Sequence, residues 1–469
     1  MEQATQASDI SLWMDQLDAA EKRPRAALDG DASADVVIIG AGYTGLWTAY
    51  YLKQYAPDLD IAILEANIAG YGASGRNGGW VIGELAGEDR LLAHLDAAGR
   101  AECLDILRDI PDEVGRVVAR ESLNADFRKG GVLYCAARYP EQETRLRQQL
   151  AHWRAHGHGE QDFRWLDGAE LDRQLKLATR FGGIFSPHVA TVQPARLARS
   201  LARCVEAKGV RIYEQTPVVA IERQAVRTAS GRVAAKWVVP AVEAYSRSLQ
   251  GVRGHQIAVQ SLIIATEPLS QDLWDEIGLA EGQAFSEWSR LVSYGQRSRD
   301  NRLVFGARGG YRFGGRLRSH FALSAEEVAM RRNMMLELFP MLGNAAITHG
   351  WGGNLGVARR FHPQIVADDD RGVYFAGGYG GEGVGATNLA GRTIASLITH
   401  RNGKLRQIPW LRNTAEVARW EPEPLRWLGY NGIIRSFDWE DRVLNNPASP
   451  AWQRRLAQGL ANRMESLMQ

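Results

Sequence analysis

Two glycine-rich segments, one near each end of the 469-residue chain, restrict the fold more than any other feature. The first, ADVVIIGAGYTGLWTAYYL, sets Gly40, Gly42 and Gly45 in a G-x-G-x-x-G turn. An apolar β-branched run, Val36 to Ile39, precedes the turn, and a helix begins near Tyr43. In such a turn the first glycine permits the tight bend, the second lets backbone approach a pyrophosphate, and the third lets the helix lie close on the strand. The helix then directs its N-terminal amides at the phosphates, where anions are favoured. Ile61 to Leu64 reads as the next strand and ends at Glu65, about 20 residues beyond the last glycine, where a carboxylate can bond adenosine ribose hydroxyls. Val36 to Leu52 is apolar, but its glycines and turn break it, and it is shorter than the ~20 residues a membrane span needs.

The second segment, GVYFAGGYGGEGVGATNLAGRTIA, repeats the pattern: a strand from Arg371 to Ala376, a glycine loop and a helix. A nicotinamide enzyme needs only the first segment. A fold that grips one extended dinucleotide with both ends of the chain points to FAD. Between the two lies IAGYGASGRNGGW, where small residues crowd from Gly70 to Gly79. Such crowding occurs where backbone must pass close to something flat or large. Directly after a ribose-binding Glu65, that object is expected to be the rest of FAD.

Charge and cysteine content narrow the setting. The 56 Lys plus Arg against 54 Asp plus Glu leave a net charge of +2, which gives no reason to expect nucleic acid or an anionic membrane as partner. Cys103, Cys135 and Cys204 are widely spaced and form no C-x-x-C, which suits a reducing compartment and argues against a zinc site or any other metal. Residues 1–34 hold no apolar secretory core. A cytoplasmic protein is expected.

Residues 84–125 and 140–180 read as helical, with a strand at Val132 to Cys135 between them. A helix from Gln193 to Ala207, a strand at Val210 to Tyr213 and a hairpin turning at Ser230–Gly231 follow. Residues 257–266 and 302–308 read as strands of a second sheet, and Ser324 as N-cap of a helix from Ala325 to Phe339. From about 401 onward the chain holds Trp410, Trp420, Trp427, Trp439 and Trp452, expected to pack as a helical cap.

In order, the chain carries G-x-G-x-x-G, Glu, GASGRNGG, a Q-P helix followed by K-G-V and T-x-V, ATEPL, FGAR, W-G-G and GGYGGEGVGATNLAGR. This series resembles the D-amino-acid-oxidase-like (DAO) superfamily of FAD enzymes, most closely the branch containing gamma-glutamylputrescine oxidoreductase, over residues from about 10 to 440. The resemblance implies an α/β fold: a doubly wound, Rossmann-like FAD domain intertwined with a substrate domain built on a large mixed β-sheet. The expected division is 1–110, 186–255 and 345–400 for FAD, 111–185 and 256–344 for substrate, and 401–469 for the cap. Carried over by position, Gly40, Gly42, Tyr43, Thr44 and Gly45 would hold the pyrophosphate and Glu65, with Ala66, the ribose. Ser74, Gly75, Arg76, Asn77, Gly78 and Gly79 would line the middle of FAD and the flavin, and Val218 the adenine side. Gly378, Gly380, Gly381, Glu382, Gly383 and Val384 would cap the flavin's pyrimidine end, where a helix N-terminus stabilises the negative charge of reduced flavin.

Three departures bear on the substrate. Glu243 stands where the family has a small or amide residue, so packing near the adenosine is expected to differ. Leu355 stands where glycine oxidase resembles W-x-G-L-R-P with a carboxylate-gripping Arg, so that clamp is missing. The stretch GHQIAVQSLIIATEPL lacks the Lys that in sarcosine oxidase helps activate oxygen, which leaves His255 as the nearest basic group. The expected activity is oxidation of a primary or secondary amine, by hydride transfer from the α-carbon to flavin N5, imine hydrolysis and reoxidation by O2 to H2O2. Arg308, with Tyr311 nearby in GARGGYRFGGRLRSH, is the expected anchor for a distal anionic or polar group, as in a gamma-glutamyl polyamine or an aminophosphonate. The FAD is expected to be non-covalent, because no Cys follows Cys204 and no His lies in 65–83. The alternatives are an amino-acid oxidase or dehydrogenase using another acceptor, and a non-catalytic FAD-bearing electron-transfer or assembly subunit.

Overall fold

The computed structural model describes residues 11–249, 255–401, 403–406 and 408–468. The strand Ala32–Ile39 is buried along its C-terminal half because it has parallel neighbours on both sides, Arg232–Pro240 and Ile61–Leu64. Among the described residues a nine-stranded sheet grows from this centre. Its order is Leu411–Asn413, Gln364–Asp368, Val373–Gly377, Arg232–Pro240, Ala32–Ile39, Ile61–Leu64 and Arg211–Tyr213. The hairpin Val218–Glu222 with Ala225–Thr228 branches from Arg232–Pro240.

The two glycine segments meet on one face of this sheet. The helix Tyr43–Tyr55 buries Tyr43 through Leu52 on all sides, because Gly383–Ile398 and Pro194–Ala207 pack against it. Glycine at 391 is what allows the contact: a Cβ there would lie 2.7 Å from the backbone of Trp47 and Thr48. Asn388 Nδ2 donates to the Tyr51 hydroxyl at 2.9 Å, and the hydroxyls of Thr44 and Tyr379 lie 3.0 Å apart. The segments from the two chain ends are thus hydrogen-bonded to each other.

A second, eight-stranded sheet runs Ile347–Ala358, Gln256–Thr266, Leu303–Tyr311, Ser293–Arg297, Ala284–Glu287, Val132–Ala136, Gly182–Ser186 and Arg164–Leu166. It is mixed: Ala284–Glu287 lies parallel to Val132–Ala136 and the other pairs are antiparallel. The helix Ala325–Leu338 covers one face, begun by a capping box in which Ser324 Oγ accepts from the Glu327 amide.

Four expectations are revised. Ile347–Ala358 belongs to the second sheet, paired along Gln256–Thr266, so the boundary at 345 falls too early. The region 140–180 is not helical throughout, since Arg164–Leu166 is an edge strand. The region 84–125 divides into the helices Glu88–Leu92, Ala97–Arg108 and Ile110–Arg120. The segment after 401 is not wholly a cap: Trp410 is buried in the first core and Leu411–Asn413 pairs with Gln364–Asp368. The helices Leu425–Asn445 and Ala451–Met468 then pack on one another. No helix among the described residues is long and apolar enough to cross a membrane.

Candidate active site

A cavity of about 350 Å³ opens between the two glycine segments. It touches Gly40, Gly42, Tyr43 and Thr44 of the first turn, Glu65 and Ala66 beyond the second strand, Ser74 and Asn77, Val218, and Gly380, Gly381, Gly383 and Val384. Glu65 Oε2 accepts from the Ala41 amide and Oε1 from the Asn67 amide, each at 2.8 Å. Each oxygen keeps a further lone pair for a ligand hydroxyl. Burial lifts this carboxyl to about 7. A buried carboxylate at one end, a helix N-terminus in the middle and glycine backbone at the other suit an extended dinucleotide. These residues fit FAD.

Some glycines named from the sequence stand behind the wall rather than in it. Gly45, Gly75, Gly79 and Gly378 line neither this cavity nor the next. Gly45 is packed against the Gly40 carbonyl and Ile38, Gly75 against the Gly70 carbonyl, Gly79 against Gln296 and the Val192 carbonyl, and Gly378 against Ala358. They set how closely segments approach and do not contact the cavity. The amide of Tyr43 donates to Ser74 Oγ at 2.9 Å, which joins the first turn to the 70–79 loop.

Glu243 also departs from expectation. Its carboxylate accepts from the amides of Gly378 and Tyr379 at 3.1 and 3.3 Å and from the Gly356 amide. It lines the cavity and adopts φ of 45°, in the left-handed region. The amide of Gly378, a residue expected at the flavin, and that of Tyr379 are therefore taken by a side chain. Burial raises the Glu243 carboxyl above its ordinary range.

A second cavity, of about 310 Å³, shares Ala73, Asn77, Leu355, Gly380, Gly381 and Val384 with the first. Arg76, Gly78 and Glu382 line it as well. Arg76 is 2% exposed and stacks 3.3 Å from the Phe321 ring centroid and 4.4 Å from that of Tyr71. Burial holds its pKa below the usual guanidinium value. Beyond the seam the walls are Trp80, Glu84, Tyr134, Trp153, Trp288 and Tyr294, with Tyr430 and Ile434 from the helix Leu425–Asn445. The Tyr134 hydroxyl donates to Glu84 Oε1 at 3.3 Å. Burial, and after it the charges of Glu88 and Glu382, push the Glu84 carboxyl well above its ordinary range.

Two of the residues proposed from the sequence for substrate chemistry, His255 and Tyr311, are not gathered here. His255 is buried before the strand Gln256–Thr266 and lines neither cavity. Tyr311 also lines neither: its hydroxyl donates to Glu423 at 2.6 Å and its ring meets Tyr430, which locks the second sheet to the start of the helix Leu425–Asn445. Arg308 pairs with Ser261 along the sheet, and its side chain lies outside the described residues. Arg318 is held by Glu327, and Arg312 and Arg316 are exposed. Missed from the sequence were Glu84, Tyr134, Trp153, Trp288 and Gln260. An acid just past the flavin loop, in WVIGEL, was the available signal for Glu84; the rings gave none, because each stands alone in its own segment.

Comparison with known proteins agrees with this architecture. The FAD dependent oxidoreductase family, DAO, matches residues 35–397. The probable oxidoreductase OrdL of Haemophilus influenzae is 31% identical over 378 residues, covering 78% of this chain and 83% of that protein. Gamma-glutamylputrescine oxidoreductase of Escherichia coli is 29% identical over 384 residues, covering 80% and 86%. Glycine oxidase from Geobacillus kaustophilus superposes with a TM-score of 0.66 at 20% identity, over 83% of this chain and 100% of that one, a likeness of fold.

Proposed function

The chain belongs to the DAO family of FAD-dependent oxidoreductases, and from that premise we propose that it oxidises a primary or secondary amine. The observation that carries this is the second cavity, which abuts the cofactor cavity at Asn77, Leu355, Gly380 and Gly381 and is walled by rings and carboxylates. FAD, held by the first glycine turn, Glu65 and the 70–79 loop, would supply a two-electron acceptor for the amine's α-carbon, with dioxygen as the oxidant that would restore it and water converting the imine to an aldehyde. The chain's own contribution is to orient and to exclude water. Leu355 presents an apolar side chain to both cavities at the position of the glycine-oxidase arginine, which disfavours a simple α-amino acid. The similarity to gamma-glutamylputrescine oxidoreductase supports an amine whose second functional group lies far from the reacting carbon.

Non-covalent attachment is supported by the absence of Cys and His from the described residues lining either cavity. Acid precipitation should leave FAD in the supernatant. The activity is tested by anaerobic loss of the flavin's visible absorbance across primary amines, N-methyl amines, amino acids and aminophosphonates. Bleaching by amines, with glycine and sarcosine poor, is expected; fast turnover of glycine would overturn the substrate class. Arg308→Ala examines the anionic anchor named from the sequence: an unchanged KM for the best substrate removes it.

A further inference from the structure

We propose that the end of the second cavity away from the cofactor is a cation box, in which Glu84 and the rings of Tyr134, Trp153 and Trp288 hold a second, positively charged nitrogen of the substrate. The enzyme would then prefer diamines, or amines with a distal ammonium, over monoamines. This deepens the amine-oxidation reading and rests on it for the word substrate.

The fold brings these groups together from four elements. Glu84 follows the short strand Trp80–Ile82, Tyr134 lies on Val132–Ala136, and Trp153 on the helix Glu141–Ala155. The parallel pairing of Glu287 with Cys135 lets the Trp288 amide donate to the Cys135 carbonyl at 2.9 Å, which sets Trp288 beside Tyr134. The ring centroids lie 5.5 Å apart for Tyr134–Trp288, 6.0 Å for Tyr134–Trp153 and 6.2 Å for Trp153–Trp288, at tilts of 74°, 44° and 70°. Rings set at such angles around one space offer faces as well as edges to it, and ring faces attract cations. None of the four residues lines the cofactor cavity.

The charge inventory agrees. Among the described residues of this cavity the charged side chains are Glu84, Glu382 and Arg76. Arg76 is stacked against Tyr71, itself a wall of the cofactor cavity, so the positive charge sits at the seam; beyond it stands the Glu84 carboxyl, whose proton affinity, raised by burial and by Glu88 and Glu382, falls when a cation enters. A second observation points to a polar ligand. Gln260, 7% exposed, lines the same cavity with its Nε2 hydrogen-bonded to no described residue. An apolar occupant would leave that amide unmatched, whereas an ammonium is matched by the amide oxygen once the side chain turns over. The groups facing Glu84 are Glu88, Glu382, Asp89 and the Tyr134 hydroxyl, with His158 Nε2 3.3 Å from Glu88 and His152 Nε2 2.7 Å from Asp89.

The test uses the FAD-loaded protein and a probe pair that amine chemistry cannot oxidise, choline and its uncharged isostere 3,3-dimethylbutan-1-ol, titrated by tryptophan fluorescence. Choline should bind about tenfold tighter than the alcohol, and Glu84→Gln, which keeps an acceptor for Tyr134, should bring the two within about twofold. Trp288→Leu should lower the same ratio if Glu84→Gln folds poorly. With oxidisable probes, the kcat/KM ratio of 1,4-diaminobutane to butylamine should fall in Glu84→Gln. A merely structural role would lower both amines alike and leave the ratio standing. Equal binding of choline and the alcohol by the unaltered protein, or a choline preference that survives Glu84→Gln, overturns the box. Choline discrimination without flavin bleaching by any amine would overturn amine oxidation and leave the box in place.

Discussion

The first cavity, which fits FAD, and the second share a seam but are made of different material. The first is lined by runs of neighbours in sequence, among them Ile39–Gly40, Gly42–Thr44, Leu64–Asn67 and Tyr71–Ser74, and much of its surface is backbone or short side chain. The second takes Tyr134, Trp153, Trp288 and Tyr430 one at a time from a strand, a helix, a loop and the helix Leu425–Asn445. Binding a pyrophosphate with backbone amides demands special residues at consecutive positions, because the chain itself must take an unusual path. Binding with side chains demands only that they converge. Glu243 joins the two regions, since one carboxylate holds Gly356 of the second sheet and Gly378 and Tyr379 of the second glycine segment.

The largest effect expected from this contrast is at Gly45. A Cβ there would fall on the Gly40 carbonyl and within 3.0 Å of Ile38 Cγ2, and both neighbours are rigid. Gly45→Val should lower FAD affinity on the order of 100-fold, although position 45 does not touch the cavity. FAD retained through gel filtration at one per chain would break the claim that the first cavity depends on close backbone. Glu65→Ala comes next. Loss of a charge-assisted hydrogen bond to ribose should cost about 1.5–3 kcal/mol of FAD binding, with a smaller change in kcat at saturating FAD. Equal affinity in the variant and the parent would show that ribose is held elsewhere.

Glu243→Ala sharpens the comparison from the middle. Three backbone amides lose their acceptor, and unfolding in urea should show about 1–3 kcal/mol less stability. FAD affinity and the KM for the amine should worsen together; a change in only one would mean that the two cavities are supported separately. The smallest effect concerns pH. The Glu65 carboxyl titrates near 7 in the folded, FAD-free protein against an ordinary value of 4.5. Between those values the folded state keeps a proton that the unfolded chain has released, so stability falls as pH rises through the window and levels off above it. Because the residue is partly open to the cavity, about 1 kcal/mol is expected. Glu65→Gln should remove that part of the slope in thermal unfolding of the FAD-free protein, and an identical slope in both would assign the effect to other groups.

What could be read before folding follows the same division. Gly40, Gly42, Glu65 and the 70–79 loop announce a dinucleotide site, because each answers a local demand of the backbone or a fixed spacing from it. The strands Ile61–Leu64 and Val132–Ala136 and the capped helix Ala325–Leu338 were legible for the same reason: hydrophobic period and capping are local. The strand Ile347–Ala358 was not, since THGWGGNLG has little strand character and is held by its pairing with Gln256–Thr266. His255 and Tyr311 drew notice as polar groups near expected strands, yet the fold buries one outside both cavities and commits the other to Glu423.

The sequence by itself determined the cofactor class, the α/β architecture and the rim of the flavin site, because these depend on which residues stand next to one another. The tertiary structure alone decided which face of the second sheet looks into the second cavity, that the helix Leu425–Asn445 closes it with Tyr430 and Ile434, and that Glu84 and three rings line one space. Those contacts span more than half of the chain, and long-range convergence leaves no local trace: a tryptophan in a core and a tryptophan in a binding wall satisfy the same burial preference.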